Sequence, residues 1–558
     1  MSFGSSVAVA ANSHKKLGLI SAAEQGAVQD GVTNDAAAVI DALALNATDT
    51  VLFTGPCYIG SNAAQSAIIL SNLHRLNFLV RGAVLQLPDC NGVAIAPTET
   101  TEFCPSHLNL SILGVDTATT TASAVSQTVG SAKQWTLQFT LASVANIDVG
   151  DAVFIDPTAG TGDYLVVGGM YIVTAKGAST IDVVSPFADS SWPTLTLSAA
   201  TVTPIKTLVQ WPSDRISMRV QGGGIREWSK ICCIGSYDPA LGTPSDGPDD
   251  GLQIGSAPDT SETGLNESEQ SNSGCFWASL SGWLNLENNA VQNSGGSGYF
   301  TSCAFMGSGW RANQAARSGC NTVKRCFVIG NNQGLESEEG GHIGVSNGGC
   351  VAGNIKQGLY AIVGTITSSG LAVLYNLESN VDARNGAHIV IDGANIKGGG
   401  LYNILIYDAD VTCGASATVA SDAGTFDVLI GEGGSLNGSG ASSLGASWSI
   451  DHESGAQMID TDGDLVRPIS TILVENNGHN VSINQSSIGD GNIAIDGSNV
   501  VLIKSNGTVR PTVNNSQDIG ANGSEWRNAF IANSILMRSP DNTLWTIKVD
   551  NTGTVSVT

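Results

Sequence analysis

Between Thr50 and Val80 the chain alternates short apolar runs with turn formers. Thr50 to Phe53, Cys57 to Ile59, Ala67 to Leu70 and Leu76 to Val80 are separated by Gly, Pro and Asn, which predicts short strands. Ahead of them, Ala36, Val39, Ile40 and Leu43 fall on one helical face behind Asn34 or Asp35 as N-cap, so a short amphipathic helix should stand at the head of a β structure. From Gly114 to Thr207 the period differs. ANIDVGDAVFI, GGMYIVTAKG and STIDVVSPF alternate apolar and polar residues as antiparallel strands do, which marks an inserted small β domain. After about Thr425 the text turns Gly/Ser/Ala-rich, and as far as Val513 short strands are broken by NNG, GDG, DGS and SNG.

The segment from about Val209 to Val428 repeats. Cys303 to Cys326 is 23 residues and Cys326 to Cys350 is 24, and each thiol follows a Gly/Ser/Asn-rich turn. A period near 23 suits one coil of a parallel β-helix, in which equivalent residues stack about 4.8 Å apart. The three thiols are therefore expected to be reduced and buried in one internal column. Three thiols in one column cannot surround a tetrahedral ion, and no CxxC spacing occurs, so no metal or other cofactor is expected.

Composition narrows the class. Among 558 residues 67 are Gly, and only 13% are charged, against 42% hydrophobic. Disorder needs the reverse balance. The net charge of −25 disfavours nucleic acid and anionic membranes as partners. Met1 to Lys16 lacks the pattern of a secretion signal, and no apolar run reaches membrane-spanning length. The chain is expected to be made in a cytoplasm with free thiols.

GAVQDGVTNDAAAVIDAL, from Gly26 to Leu43, followed by short strands, resembles the opening of pectate-lyase-like right-handed β-helix proteins, a motif that many bacteriophage tailspikes share. In that family the helix caps the first coil. Gln29 and Ala36 depart from the usual pattern. NNSQDIGANGSEWRNAF resembles a motif near the end of phage tail fibres and tailspikes, with Asp518, Gly520, Trp526 and Asn528 at the motif's positions. The resemblance implies an all-β protein: a right-handed parallel β-helix with an N-terminal capping helix, an inserted small β domain and a C-terminal β-rich trimerisation region.

The expected boundaries are an adapter and capping helix over 1–49, first coils over 50–113, the insert over 114–207 and the main β-helix over 208–428. A Gly/Ser-rich connection over 429–467 and a trimerisation or fibre-tip region over 468–558 complete the chain. The role implied is a virion tailspike or tail fibre, synthesised in the host cytoplasm, homotrimeric and attached to the phage tail or baseplate by its N-terminus. Its partner is a bacterial surface polysaccharide, either capsule or lipopolysaccharide. It either depolymerises that glycan, by hydrolysis or elimination, or binds it without chemistry.

Candidate chemistry follows from offsets to the thiols. Twelve residues after Cys275 and Cys326 stand Glu287 and Glu338, and ten after them stand Asn285 and Glu336. With Leu284, Leu286 and Leu335 pointing inward, Trp283, Asn285, Glu287, Glu336 and Glu338 would point outward, and with Trp310 they would line a glycan groove. Aromatic faces stack on sugar CH groups and polar groups take the hydroxyls. Glu287, Glu338 and Glu336 are the catalytic candidates. The competing reading of Glu336 to Glu339 is a solvated acidic turn. Asp249 and Asp250, with Asp246 in SDGPDDG, are the second choice. Asp382 and Arg384 could offer a lyase arginine or a plain ion pair. GVSNG, from Gly344 to Gly348, lacks the strand and helix of a nucleophile elbow and reads as a turn. DTDGD, from Asp460 to Asp464, departs from an EF-hand loop at Leu465 and Thr471.

Overall fold

The computed structural model describes residues 274–466 almost continuously, most of 112–210, and shorter stretches and single strands elsewhere; residues 1–18, 54–74, 241–250 and 256–273 are among those outside the description. The chain divides into two units, Met1–Arg467 and Pro468–Thr558. The architecture is all-β, with a parallel β-solenoid of about nine turns.

Each coil contributes up to three strands. The first row runs through Cys275–Ser279, Ser297–Thr301 and the early part of Cys320–Ile329, then on through His388–Asp392. The second runs through Gly282–Leu284 and Ala304–Met306, and the third through Val291–Ser294, Arg311–Ala316, Gln333–Glu338, Gln357–Ile362 and Ser379–Arg384. Neighbouring coils pair in parallel register, so like positions stack into columns.

One such column forms the spine of the core: Cys233, Trp283, Phe305, Val328, Val351, Val373 and Ile396 succeed one another. All are buried in one cluster. Trp283 is fully buried, with its ring stacked on Phe305 at 5.4 Å. This corrects the expectation that Trp283 points outward. Leu284 instead faces out of the solenoid, yet it too is buried, because the insert covers that side. A strand buried on both faces carries no in/out alternation, so the parity of Trp283 and Leu284 could not be read from hydrophobicity.

The insert is a closed six-stranded antiparallel barrel, built from Thr120–Val129, Trp135–Leu141, Ala152–Gly162, Gly169–Lys176, Thr180–Ser185 and Leu195–Ile205. It packs on the outer side of the second row, where Leu284, Ala304, Met306, Phe327 and Cys350 join the barrel's own core. The contact is close. A Cβ at Gly168 would lie 2.1 Å from the Phe327 ring. Tyr375 and Lys397 both reach Asp163 of the barrel, the lysine at 3.1 Å, and Arg325 pairs with Asp156 at 3.0 Å.

The thiol column is corrected in part. Cys303, Cys326 and Cys350 are all free and buried. Cys303 and Cys326 lie on successive coils in the solenoid core, with the Cys303 amide donating to Cys326 Sγ at 3.4 Å. Cys350 is paired with Phe327 and faces the barrel. The extra residue in the 24-residue step is the cause. The register shifts between Lys324 and Cys326, opposite Asn347, Gly348 and Gly349, all of which take positive φ. A slip of one residue sends a strand's side chains to the opposite face. GVSNG is thus strand and bulge.

At the head of the chain, residues 37, 38, 41 and 42 are helical, with Ala42 buried and Ala38 packed on the core. Asp35 accepts from the amides of Val28 at 2.7 Å and Gln29 at 3.0 Å, while Asp30 accepts from Val32 and Thr33. These bonds tie the DGVTND loop to the helix start. The second unit contains a five-stranded and a three-stranded antiparallel sheet, over residues 474–511 and 534–557. Asp518, Gly520, Trp526 and Asn528 lie outside the described residues.

Candidate functional site on the third row

The barrel packs on the second row, and the outward column of the third row is rich in polar side chains. Gln253, Gln292, Gln314, Glu336, Tyr360 and Asp382 stack on successive coils. Leu335 and Leu359, one residue before Glu336 and Tyr360, point into the core and fix the parity. Two strand positions on from Glu336, a parallel column holds Glu338, Ile362, Arg384 and Tyr407.

Glu336 is only 1% exposed. Its Oε2 pairs with Arg311 Nε, whose Nη2 also reaches Glu338 at 3.6 Å. Gln314 Nε2 donates to Glu338 Oε1. Burial pushes the Glu336 carboxyl up to about 7; Arg311 pulls it down, and neighbouring Glu338 raises it again. Desolvation outweighs the ion pair, so this carboxyl takes up its proton well above the usual carboxylate range. Asp382 is fully buried and is gripped by Arg384 through two bonds of 2.8 Å, with Gln357 Nε2 at 3.4 Å. Burial raises its pKa as well, against the pull of Arg384.

Several polar atoms of this face are buried with no partner: Glu336 Oε1, Gln314 Oε1, Gln333 Oε1 and Asn332 Nδ2. Unsatisfied groups of this kind are rare, since each costs roughly 1–3 kcal/mol. Glu336 and Asp382 stand two coils apart in one column, hence about 9–10 Å. That lies at the upper end of the spacing at which an acid and a base flank a water in inverting glycoside hydrolysis.

The residues expected from sequence divide. Glu336 and Glu338 share this face, and Trp310 lies half-buried at the turn that enters it. Glu287 is elsewhere. It lies in the turn between the second and third rows, stacked beneath Gly309, and it does not share a column with Glu338. Asn285 is in the same corner, in a left-handed conformation with φ of 56°. The equal-offset alignment fails because Cys275 begins a first-row strand and Cys326 a second-row segment. Asp246, Asp249 and Asp250 lie outside the described residues. Among the described residues no cluster of His, Cys, Asp or Glu could hold a metal ion. Asp460 accepts from the amides of Asp462 and Asp464, closing a turn on itself.

Arg311, Gln314, Gln357 and Tyr360 were missed, and Asp382 was not grouped with the glutamates. Tyr360 and Asp382 follow Glu336 by 24 and 46 residues, one and two coil lengths, which is the signal that could have joined them.

No family model and no curated protein sequence matches the chain. Solved structures do. A tailspike of Acinetobacter phage vb_AbaP_AS12 aligns over 93% of this chain and 87% of its own, at 9% identity and a TM-score of 0.36. A tailspike of Acinetobacter baumannii bacteriophage AP22, in complex with capsular saccharide, aligns over 80% of both chains at 10% identity and a TM-score of 0.22. PfbA, a surface adhesin of Streptococcus pneumoniae, aligns over 86% of this chain and 99% of its own at 11% identity and a TM-score of 0.29. At such scores the likenesses carry no argument, and the fold rests on the strand register described above.

Proposed function

We propose that this protein binds a bacterial surface polysaccharide on the outward face of the third row and depolymerises it by hydrolysis. The observation that carries the reading is Glu336, a buried carboxyl on an outward column, its pKa raised by burial to about 7 and its Oε1 lacking a partner. An acid in that state can protonate a glycosidic oxygen. Asp382, two coils along the same column, is the base that activates water, with Arg384 keeping it oriented. Gln314, Gln333 and Gln357 supply the amide groups that sugar hydroxyls require.

The same reading makes the chain a tailspike or tail fibre of a bacteriophage, assembled as a homotrimer and carried on the virion by its N-terminal segment. Both resemblances in the sequence support it, at Gly26 to Leu43 and at Asn514 to Phe530. No helix of the described residues is long and apolar enough to cross a membrane.

The test is purified protein added to capsule or lipopolysaccharide from candidate hosts, with reducing ends and unsaturated-uronate absorbance read together. Reducing ends alone support hydrolysis. Both signals together mean elimination and overturn the assignment of Glu336 as acid, while retention without either signal means an adhesin.

A further inference from the structure

The outer side of the first row carries a pair of exposed aromatic rings. Trp277 and Tyr299 stand opposite each other on successive coils, each 39% exposed, with ring centres 5.1 Å apart and planes inclined by 6°. Phe276 and Phe300, next to them in the chain, point into the core and fix both rings on the outside. Stacking covers one face of each ring and leaves the remaining apolar edges in water, a cost that a covering partner removes.

The column that begins with this pair continues through Thr322, Gly344, Thr367 and Val390. None of the six is charged, in a chain of net charge −25. Charges enter at the margins: Glu227 on the coil before Trp277, and Lys324, Asp392 and Asp410 in the flanking columns. The third row differs, since its outward columns hold Glu336, Glu338, Asp382 and Arg384. Short Ser, Thr and Gly side chains make a level surface and cannot wall a groove for a small ligand. Copies of a chain with this charge repel each other over most of their surface, so they close best through a strip that brings no charge of its own.

We infer that the outer face of the first row is a contact between copies of this chain, with Trp277 and Tyr299 as its apolar anchor. The inference rests on the homotrimer reading above. From Cys275–Ser279 to Asp410–Cys413 the face is about 29 Å long at about 4.8 Å per coil, and a strand of 5 residues makes it about 17 Å wide, roughly 500 Å² in all. Stable interfaces bury about 800 Å² on each partner. The face is therefore too small to hold copies together alone, and it aligns solenoids whose association also needs residues 468–558.

Two thiols report on this face. Cys275 and Cys320 lie in a flanking column, two coils apart and partly exposed, whereas the other described cysteines are buried. The experiment is iodoacetamide labelling of the native full chain, read at each cysteine by peptide mass spectrometry, with light scattering on the same sample. The expected result is a trimer in which Cys275 and Cys320 label slowly. Tyr299→Arg and Thr322→Arg each set like charges against one another in the contact, and should speed labelling of both thiols about tenfold or more. Circular dichroism checks the fold of each variant, and either one suffices. A trimer whose labelling at these thiols is the same in wild type and variants would overturn the contact and leave the trimer standing. Protection that appears only when host polysaccharide is added would make this a sugar-binding face and overturn the contact as well. A monomer would overturn both the contact and the homotrimer reading.

Discussion

Arg311 grips Glu336 through Nε and touches Glu338 at 3.6 Å through Nη2, so one guanidinium sits between two acids on the same strand. The carboxyl of Glu336 nevertheless rises to about 7, because burial outweighs the arginine. Removing the guanidinium should push it higher. In Arg311→Met the alkaline limb of the cleavage profile, or the titration of labelled Glu336 by carbon NMR, should move up by about one unit or more. An unmoved titration would mean that the pair does not couple to the acid.

The raised value has a stability consequence with a definite sign. A carboxyl whose folded pKa lies above its unfolded one binds more protons in the native state between the two values. Its contribution is therefore full below about 4.5 and is lost as pH rises towards about 7. Glu336→Gln should flatten this slope, which is at most on the order of 1 kcal/mol per pH unit. Chemical denaturation of both proteins between pH 4.5 and 7.5 measures the difference. If the wild type gains stability relative to the variant as pH rises, Glu336 is ionised in the fold.

Trp283 gives a prediction that separates core from groove. Its ring is enclosed by Phe276, Phe300 and Phe305. Trp283→Ala should cost about 3–5 kcal/mol in unfolding free energy, as large-to-small changes in packed cores do. A surface tryptophan would cost far less. Urea denaturation decides between them.

These residues also show how much was legible beforehand. The coil period, the capping segment at Gly26 to Leu43 and the change of pattern at Gly114 could be read, because each leaves a one-dimensional trace. The depth of Glu336 could not. Nothing local distinguishes ESEE as a solvated turn from ESEE with one acid sunk under Arg311, which comes from the coil before. The thiol ladder held from Cys303 to Cys326 and broke at Cys350, where Gly348 and Gly349 allow a bulge that shifts the register. Glu287 was misplaced for a related reason: counting from a thiol assumes that every thiol begins the same row.

Assembly is the next test. If the chain is a homotrimer, light scattering under native conditions should give about three times the chain mass of 57.2 kDa. Removing residues 468–558, a unit with its own sheets, should yield monomers or aggregates. A stable trimer from the shortened chain would move the contacts to the solenoid.

The central claim is that the third row's outward acids carry the chemistry, and the most direct measurement compares glycan cleavage by the wild type, Glu336→Gln and Asp382→Asn on one host polysaccharide, read as reducing ends. The account predicts that each variant keeps its fold and loses about 10²- to 10⁴-fold in rate. Cleavage by the wild type with undiminished cleavage by Glu336→Gln would place the reaction elsewhere on the molecule.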